Sequence, residues 1–300
     1  MYDVIIIGGS YGGLAAALQL VRARRKVLIL DAGQRRNRFA GHSHGFLGQD
    51  GQPPDVIAAI GKAEVLAYPT VTWTDAFATE AMRAPEGFVV RAGGDEFRGK
   101  RLILATGVVD ELPSIPGLSE RWGKRVFFCP YCDGYEFGLG SLGVLATSPQ
   151  SAHFAMIVSE WAAPGQTTFF LNGQSDPDAH ELAQLRSRGI TIEREPVVGV
   201  SGDERSIDLH LRDGRTTKRD GLFLLPHARI KGSFAEELGC ELETGPLGSY
   251  YKTDVAKETT VQGVFACGDV ATPMPGIAFA VADGVRAGGA AHQSLVFRPE

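Results

Sequence analysis

Residues 4–31 decide the fold: Val4-Ile5-Ile6-Ile7, then Gly8-Gly9-Ser10-Tyr11-Gly12-Gly13, a helix-patterned stretch from Leu14 to about Arg24, then Val27-Leu28-Ile29-Leu30 and Asp31. Apolar strand, glycine turn, helix, apolar strand and terminal acid, all within about 30 residues, is the order of a dinucleotide-binding βαβ unit. Glycines let the backbone close on a pyrophosphate, and the helix N-terminus offers free N–H groups and a positive dipole end. The residues from Gly8 through Gly9, Ser10, Tyr11 and Gly12 to Gly13 are therefore read as a phosphate turn, with Asp31 accepting ribose hydroxyls. The middle glycine of G-x-G-x-x-G is Ser10 here.

The surrounding composition suits a ligand-binding α/β enzyme. Glycine supplies 38 of 300 residues, well above an average of about 7%, which suggests tight turns around a bulky ligand. With 44% hydrophobic and 22% charged residues, the chain has the apolar content that a disordered one lacks. A net charge of -5 without a basic block argues against nucleic acid as partner. No apolar run approaches the roughly 18–20 residues of a membrane span. The chain enters a strand at Asp3–Ile7 without a leader-like segment, so a cytoplasmic location is expected.

Further along, helices are expected near Pro54–Ala67, Ser151–Trp161, Asp178–Arg188 and Ile277–Leu295. Strands are expected at Val71–Thr74, Phe88–Ala92, Leu102–Ala105, Leu142–Ala146, Thr168–Leu171, Ile190–Glu193 and Gly263–Ala266. Ile207–Arg212, Asp213-Gly214 and Leu222–Leu225 read as a hairpin on the Asp-Gly turn signal. The best linker is Leu112-Pro113-Ser114-Ile115-Pro116-Gly117.

Cys129-Pro130-Tyr131-Cys132-Asp133 is the chemical centre. Two intervening residues bring two thiols close enough to form a ring, and a low thiol pKa is favoured in such motifs. A zinc site wants four ligands and a second paired motif, which the sequence lacks. A structural disulfide is disfavoured in a reducing compartment, and a glutaredoxin-like module would carry the pair near its own N-terminus. A two-electron dithiol behind a nucleotide unit points to flavin-coupled thiol–disulfide exchange, with Asp133 moving the proton. The bland reading of Asp133 is a turn residue before Gly134. Cys240 and Cys267 read as inert, His42 and His44 as residues of a polar loop that reaches either solvent or the flavin. Arg35, Arg36 and Arg38 read as phosphate ligands or exposed surface.

Ile7–Gly13, Asp31, Ala105-Thr106-Gly107, Cys129–Gly134 and Val264–Val270 occur in the order found in low-molecular-weight thioredoxin reductase-like flavoproteins, which this chain resembles over nearly its whole length. The resemblance implies two Rossmann-like three-layer α/β domains, the second inserted into the first. Residues 1–113 and 246–300 would bind FAD, and 114–245 would carry the cysteines on an NADPH-like domain. It implies Cys132 facing the flavin, Cys129 exchanging with substrate and Asp133 as acid/base. FAD would be held by the phosphate turn, Asp31, Ala32, Asn37, Ala105, Thr106, Gly107, Gly268 and Asp269. Gly276, Ile277 and Ala278 would open the last helix against the isoalloxazine ring. A homodimer is implied, acting on a small dithiol or a thioredoxin-like protein, with no metal.

The inserted domain departs from that pattern. Gly138-Leu139-Gly140-Ser141-Leu142-Gly143 precedes its strand instead of following it, and Thr147-Ser148-Pro149-Gln150-Ser151 offers no glycine to a pyrophosphate. The NADPH site is therefore expected to be lost. Asp31–Asn37, His44-Gly45-Phe46-Leu47 and Cys-Pro-Tyr-Cys are similar to the branch with dithiol oxidases of the gliotoxin and holomycin type. That branch carries His after the second cysteine, where Asp133 stands. Ferredoxin-fed reductases share the degenerate site. The Pro-Tyr pair favours a more oxidising poise than thioredoxin's. The expected activity is oxidation of a dithiol by oxygen or another non-pyridine acceptor, with a protein-fed disulfide reductase and a flavin redox sensor as alternatives.

Overall fold

A computed structural model describes residues 1–298. The chain divides into two compact units: Met1–Arg38 with Pro54–Val109 and Ala228–Glu300, and Phe39–Pro53 with Asp110–His227.

The first unit begins with β1 (Tyr2–Ile7), α1 (Tyr11–Arg22), β2 (Val27–Asp31), α2 (Pro54–Leu66) and β3 (Val71–Asp75). The antiparallel run β4 (Ala78–Ala84), β5 (Gly87–Ala92) and β6 (Asp95–Leu104) follows. The sheet order is β3-β2-β1-β6-β5-β4, with β3, β2, β1 and the end of β6 parallel. Val4–Ile7 and Val27–Leu30 are buried on both faces, which is why they read as unbroken apolar runs instead of alternating ones.

From β7 (Val108–Glu111) the chain passes into the second unit. This holds β8 (Val126–Phe127), α3 (Pro130–Asp133), β9 (Leu142–Leu145), α4 (Ser151–Val158), β10 (Thr167–Phe170), α5 (Ala179–Ser187) and β11 (Thr191–Glu193). Next come β12 (Val197–Gly202), β13 (Ile207–Leu211), β14 (Thr216–Arg219) and β15 (Gly221–Leu224). One sheet is parallel throughout, in the order β11-β10-β9-β15-β8; β12-β13-β14 form an antiparallel three-stranded sheet. The expected hairpin is therefore corrected. β13 turns back onto Thr216–Arg219, while fully buried Leu222–Leu224 lies between β9 and β8 in the parallel sheet. Asp178 caps α5 through a reciprocal bond with Glu181, the arrangement that fixes a helix start.

At β16 (His227–Ile230) the chain returns to the first unit, which adds α6 (Phe234–Leu238), β17 (Leu242–Gly245), β18 (Gly248–Tyr251), β19 (Val264–Ala266) and α7 (Ile277–Phe297). β19 extends the parallel part of the sheet beside β6. α7 turns a face of small residues, Ala280, Gly284, Ala287, Gly288 and Ala291, inward, the spacing of a helix stripe. A β-carbon on Gly284 would overlap the Gly12 carbonyl, and one on Gly288 the Ala16 carbonyl, so α1 and α7 meet backbone to backbone. Arg101, buried, donates to the Ser294 and Arg298 carbonyl oxygens at 3.2 and 2.7 Å, closing the helix end.

These limits differ from the expected boundaries 113/114 and 245/246 at three places: residues 110–113 fall in the second unit, and two longer segments change sides. Residues 228–245 join the first unit because Phe234 and Cys240 are buried in one core with Ile5, Leu28, Phe88 and Leu102. The Ala81 N–H also donates to Glu237 there, at 2.8 Å. Residues 39–53 join the second, where the Phe39 backbone lies on Gly123 and His44 reaches Glu136.

Candidate functional site

In the first unit the turn after β1 is shaped by contact. Gly8 has φ +108, a region that only glycine enters freely, and a β-carbon there would overlap the Ala105 carbonyl. A β-carbon on Gly13 would overlap the Gly8 carbonyl, and one on Gly9 would stand 2.9 Å from Asp31 Cβ. The Gly9 N–H donates to Asp31 Oδ1 at 3.0 Å, so the acid also ties the turn to β2. Ser10 is the N-cap residue of α1, with its side chain unused as a cap. The N–H groups of the first helical turn have no partner within a helix and remain for an anion.

A cleft of about 540 Å³ opens here, lined by Gly8, Ser10, Asp31, Ala32, Ala105 and Thr106, with Phe77, Lys231 and Phe234. Its chemistry fits a nucleotide: a backbone cradle that any β-carbon would fill, a ribose acceptor and cations. Arg35 Nε and Asn37 Oδ1 are buried without a hydrogen-bond partner among the described residues. The remaining expected ligands serve the walls. The Tyr11 hydroxyl donates to the Pro54 carbonyl at 3.0 Å and accepts from Asn37 Nδ2 at 3.1 Å, and burial raises its pKa. Gly12 faces α7, where its β-carbon would sit 3.3 Å from the Ala280 carbonyl. Gly107 and Gly268 supply left-handed turns.

A second hollow of about 290 Å³ is lined by Arg36, Asp269, Pro275 and Gly248–Tyr250. Asp269 is paired with Arg36 at 3.1 Å. Gly276 is the N-cap residue of α7, Ile277 is half-buried and Ala278 exposed in its first turn.

Sequence reasoning missed Lys231. It reaches the cleft from a segment some 200 residues away in the chain, and donates to the Gln34 carbonyl at 2.9 Å. Burial and nearby Arg38 lower its pKa. An isolated lysine in a polar turn carries no local signal. Also missed is a buried ion pair, Lys257 Nζ to Asp283 Oδ2 at 2.8 Å. Beside it the Cys267 thiol is pushed up to about 12 by burial and by Asp283. Burial also raises Cys240. Neither is a reactive thiol.

In the second unit Cys129 is the N-cap residue of α3, followed by Pro130 at the first helical position, which proline's fixed φ suits. One helical turn brings Cys132 back: the Cα atoms are 5.3 Å apart and the sulfurs are joined in a disulfide. Asp133 N–H donates to the Cys129 carbonyl at 3.2 Å. Burial, then the neighbouring Glu136 carboxylate, raise the Asp133 carboxyl to about 7, against an opposing pull from His44. A carboxyl poised there holds or releases a proton at neutral pH. Tyr131 packs edge-on to Trp161, 4.9 Å between centroids, yet stays 75% exposed, with Tyr135 at 85%.

At the carboxyl ends of β9 and β15 a Rossmann-like sheet ordinarily receives its ligand. Here Ser151 Oγ accepts the Thr147 and Ser148 N–H groups at 3.1 and 3.2 Å, and Thr147 Oγ1 donates to the Leu225 carbonyl at 2.7 Å. The donors that would cradle a phosphate are bonded internally. Among the described residues no His/Cys/Asp/Glu group is placed to hold a metal, and no helix is long and apolar enough to cross a membrane.

The pattern of the pyridine nucleotide-disulphide oxidoreductases matches residues 2–284. Thioredoxin reductase sirT of Leptosphaeria maculans is 31% identical, over 96% of this chain and 92% of that protein. Thioredoxin reductase tcpT of Claviceps purpurea is 30% identical, over 98% and 94%. The crystal structure of an oxidoreductase from Agrobacterium tumefaciens superposes with a TM-score of 0.94 at 50% identity, over 100% of this chain and 99% of that one. The chain belongs to the pyridine nucleotide-disulphide oxidoreductase family, as a thioredoxin reductase-like flavoprotein that acts on disulfides.

Proposed function

We propose that the protein is a FAD-dependent thiol–disulfide oxidoreductase that converts a substrate dithiol to a disulfide and passes two electrons to oxygen or another non-pyridine acceptor. The first unit would hold FAD: Gly8–Gly13, Asp31, Ala32, Ala105 and Thr106 around the nucleotide half, and Gly107, Gly268, Asp269 and Gly276–Ala278 toward the ring. Asn37 would support that turn. FAD, when bound, supplies the two-electron acceptor for Cys129 and Cys132.

The chain's own steps follow from sulfur chemistry. Asp133 takes the proton of one substrate thiol, the thiolate so formed attacks Cys129 Sγ, the Cys129–Cys132 bond breaks, and Cys132 leaves as thiolate. The second substrate thiol then attacks the substrate sulfur of the mixed disulfide and displaces Cys129. Substrate loses two protons and two electrons; the pair gains both electrons and one proton, and Asp133 accepts the proton left over.

The observation that carries the non-pyridine reading is the self-bonded β9–α4 turn, where Ser151 Oγ occupies the Thr147 and Ser148 N–H donors. Exposed Tyr131 and Tyr135 beside the pair favour a second reading, a reductase that passes electrons from a protein donor to a thioredoxin-like protein. Anaerobic mixing distinguishes these readings. Dithiothreitol should bleach the flavin, NADPH should not, and admitted air should yield peroxide. Rapid bleaching by NADPH would overturn the closed-turn argument. Bleaching by a reduced ferredoxin, with turnover of a thioredoxin-like protein, would establish the second reading.

A further inference from the structure

The segment Phe39–Pro53 lies early in the chain, next to the nucleotide turn in sequence, yet it packs within the cysteine unit. A bridge between Ser43 and Gln52 closes it, and the Gly45 N–H donates to Asp50 Oδ1 at 2.8 Å. This closure sets His44, half-buried, between two carboxylates. Its Nε2 lies 3.4 Å from Glu136 Oε1 and its Nδ1 3.5 Å from Asp50 Oδ1. Glu136 follows Asp133 by three residues through consecutive helical turns, a spacing that puts the two side chains on one face. Asp133, Glu136, His44 and Asp50 thus form a graded row: half-buried beside the cysteines, 46% exposed at Glu136 and 68% exposed at Asp50.

We propose that His44 is a positioning residue for proton exchange at the cysteine pair, carrying the proton of Asp133 to and from solvent with Glu136 and Asp50. This rests on the reading that Asp133 takes the proton released when the pair oxidises a dithiol. Each dithiol oxidised leaves one proton on Asp133 and none on the pair beyond the one it keeps. That proton must leave before the next cycle, and a carboxyl screened from water needs a route. An imidazole can take a proton at one nitrogen and release one from the other, and each nitrogen of His44 faces a carboxylate.

The charged groups acting on Asp133 are Glu136 from the following turn and His44 from the loop, with Asp50 behind His44. They act with opposite sign: the Glu136 carboxylate raises the Asp133 pKa and His44 lowers it. Replacing either therefore moves the pH profile in a direction fixed in advance.

The test is anaerobic stopped-flow bleaching of the purified flavoprotein by excess dithiothreitol across pH 5–9. Asp133→Asn should abolish the inflection near neutral pH. His44→Gln should move the inflection upward by about half a unit or more and slow the reaction roughly ten-fold or more below it, with added imidazole restoring rate. Glu136→Gln should move the inflection downward. An unshifted His44→Gln profile, or a shift in the same direction as Glu136→Gln, overturns the relay while leaving the role of Asp133 intact. Retention of the inflection in Asp133→Asn overturns the Asp133 reading itself.

Discussion

Replacing Gly13 by alanine tests whether the turn after β1 is a cofactor cradle. The added methyl would overlap the Gly8 carbonyl oxygen and approach its carbon to 3.0 Å and Ala105 Cβ to 3.4 Å. These are mostly backbone atoms of the turn, so relief requires the turn to open. Overpacking of this kind costs about 1–3 kcal/mol. Alanine's helical preference over glycine, up to about 1 kcal/mol in a helix interior, offsets only part, because Gly13 lies in the first turn of α1. A net cost of roughly 1–2 kcal/mol borne by the bound state raises the FAD Kd roughly 5- to 30-fold. Gly289→Ala in α7 is the control: its methyl would meet nothing within 4 Å, so its Kd should stay within about threefold. The assay is flavin fluorescence quenching on titrating deflavinated protein, with Tm measured alongside. Equal affinities for the two variants would refute the argument that Gly13 packs against the phosphate turn.

Cys132→Ser should abolish flavin bleaching by dithiothreitol, whereas Cys129→Ser should leave a thiolate whose charge-transfer absorbance is visible in the resting protein; the opposite result exchanges the two roles. Asp133 is raised to about 7 from an ordinary 3.8, so its contribution to stability is full below pH 4 and is lost as pH rises through 7. Asp133→Asn should accordingly gain more Tm at pH 8 than at pH 4, as differential scanning calorimetry would read. Lys257→Met strips a buried carboxylate of its partner and should cost about 3–5 kcal/mol in denaturant unfolding. Lys257→Met combined with Asp283→Leu should recover much of it.

Local chemistry was legible in the sequence, and long-range company was not. The glycine turn, α1 and Asp31 could be read because strand, turn and helix each carry their own pattern over a few residues. The Gly9–Asp31 bond confirms their spacing. The Cys129–Cys132 pair announces itself for the same reason. The Leu222–Leu224 run was misassigned because a fully buried parallel strand and a hairpin arm look alike as short apolar runs. Strands β4 and β12 escaped because their burial alternates irregularly. Lys231 stood beyond reach altogether, and His44 could be read only as a loop residue facing solvent or the flavin, not as a neighbour of Glu136. Each owes its role to a fold that returns a polar loop to a distant partner, and a polar loop has the same composition whether it is solvated or held.

The helix pair α1 and α7 also constrains how the molecule is made. The second unit is mostly one continuous segment, Asp110–His227, and its five-stranded sheet can assemble as soon as that stretch emerges from a ribosome. The cradle near the N-terminus instead waits for Gly284 and Gly288, whose backbones lock against Gly12 and Ala16. The turn after β1 is thus translated before the second unit yet completed after it, once α7 has been made.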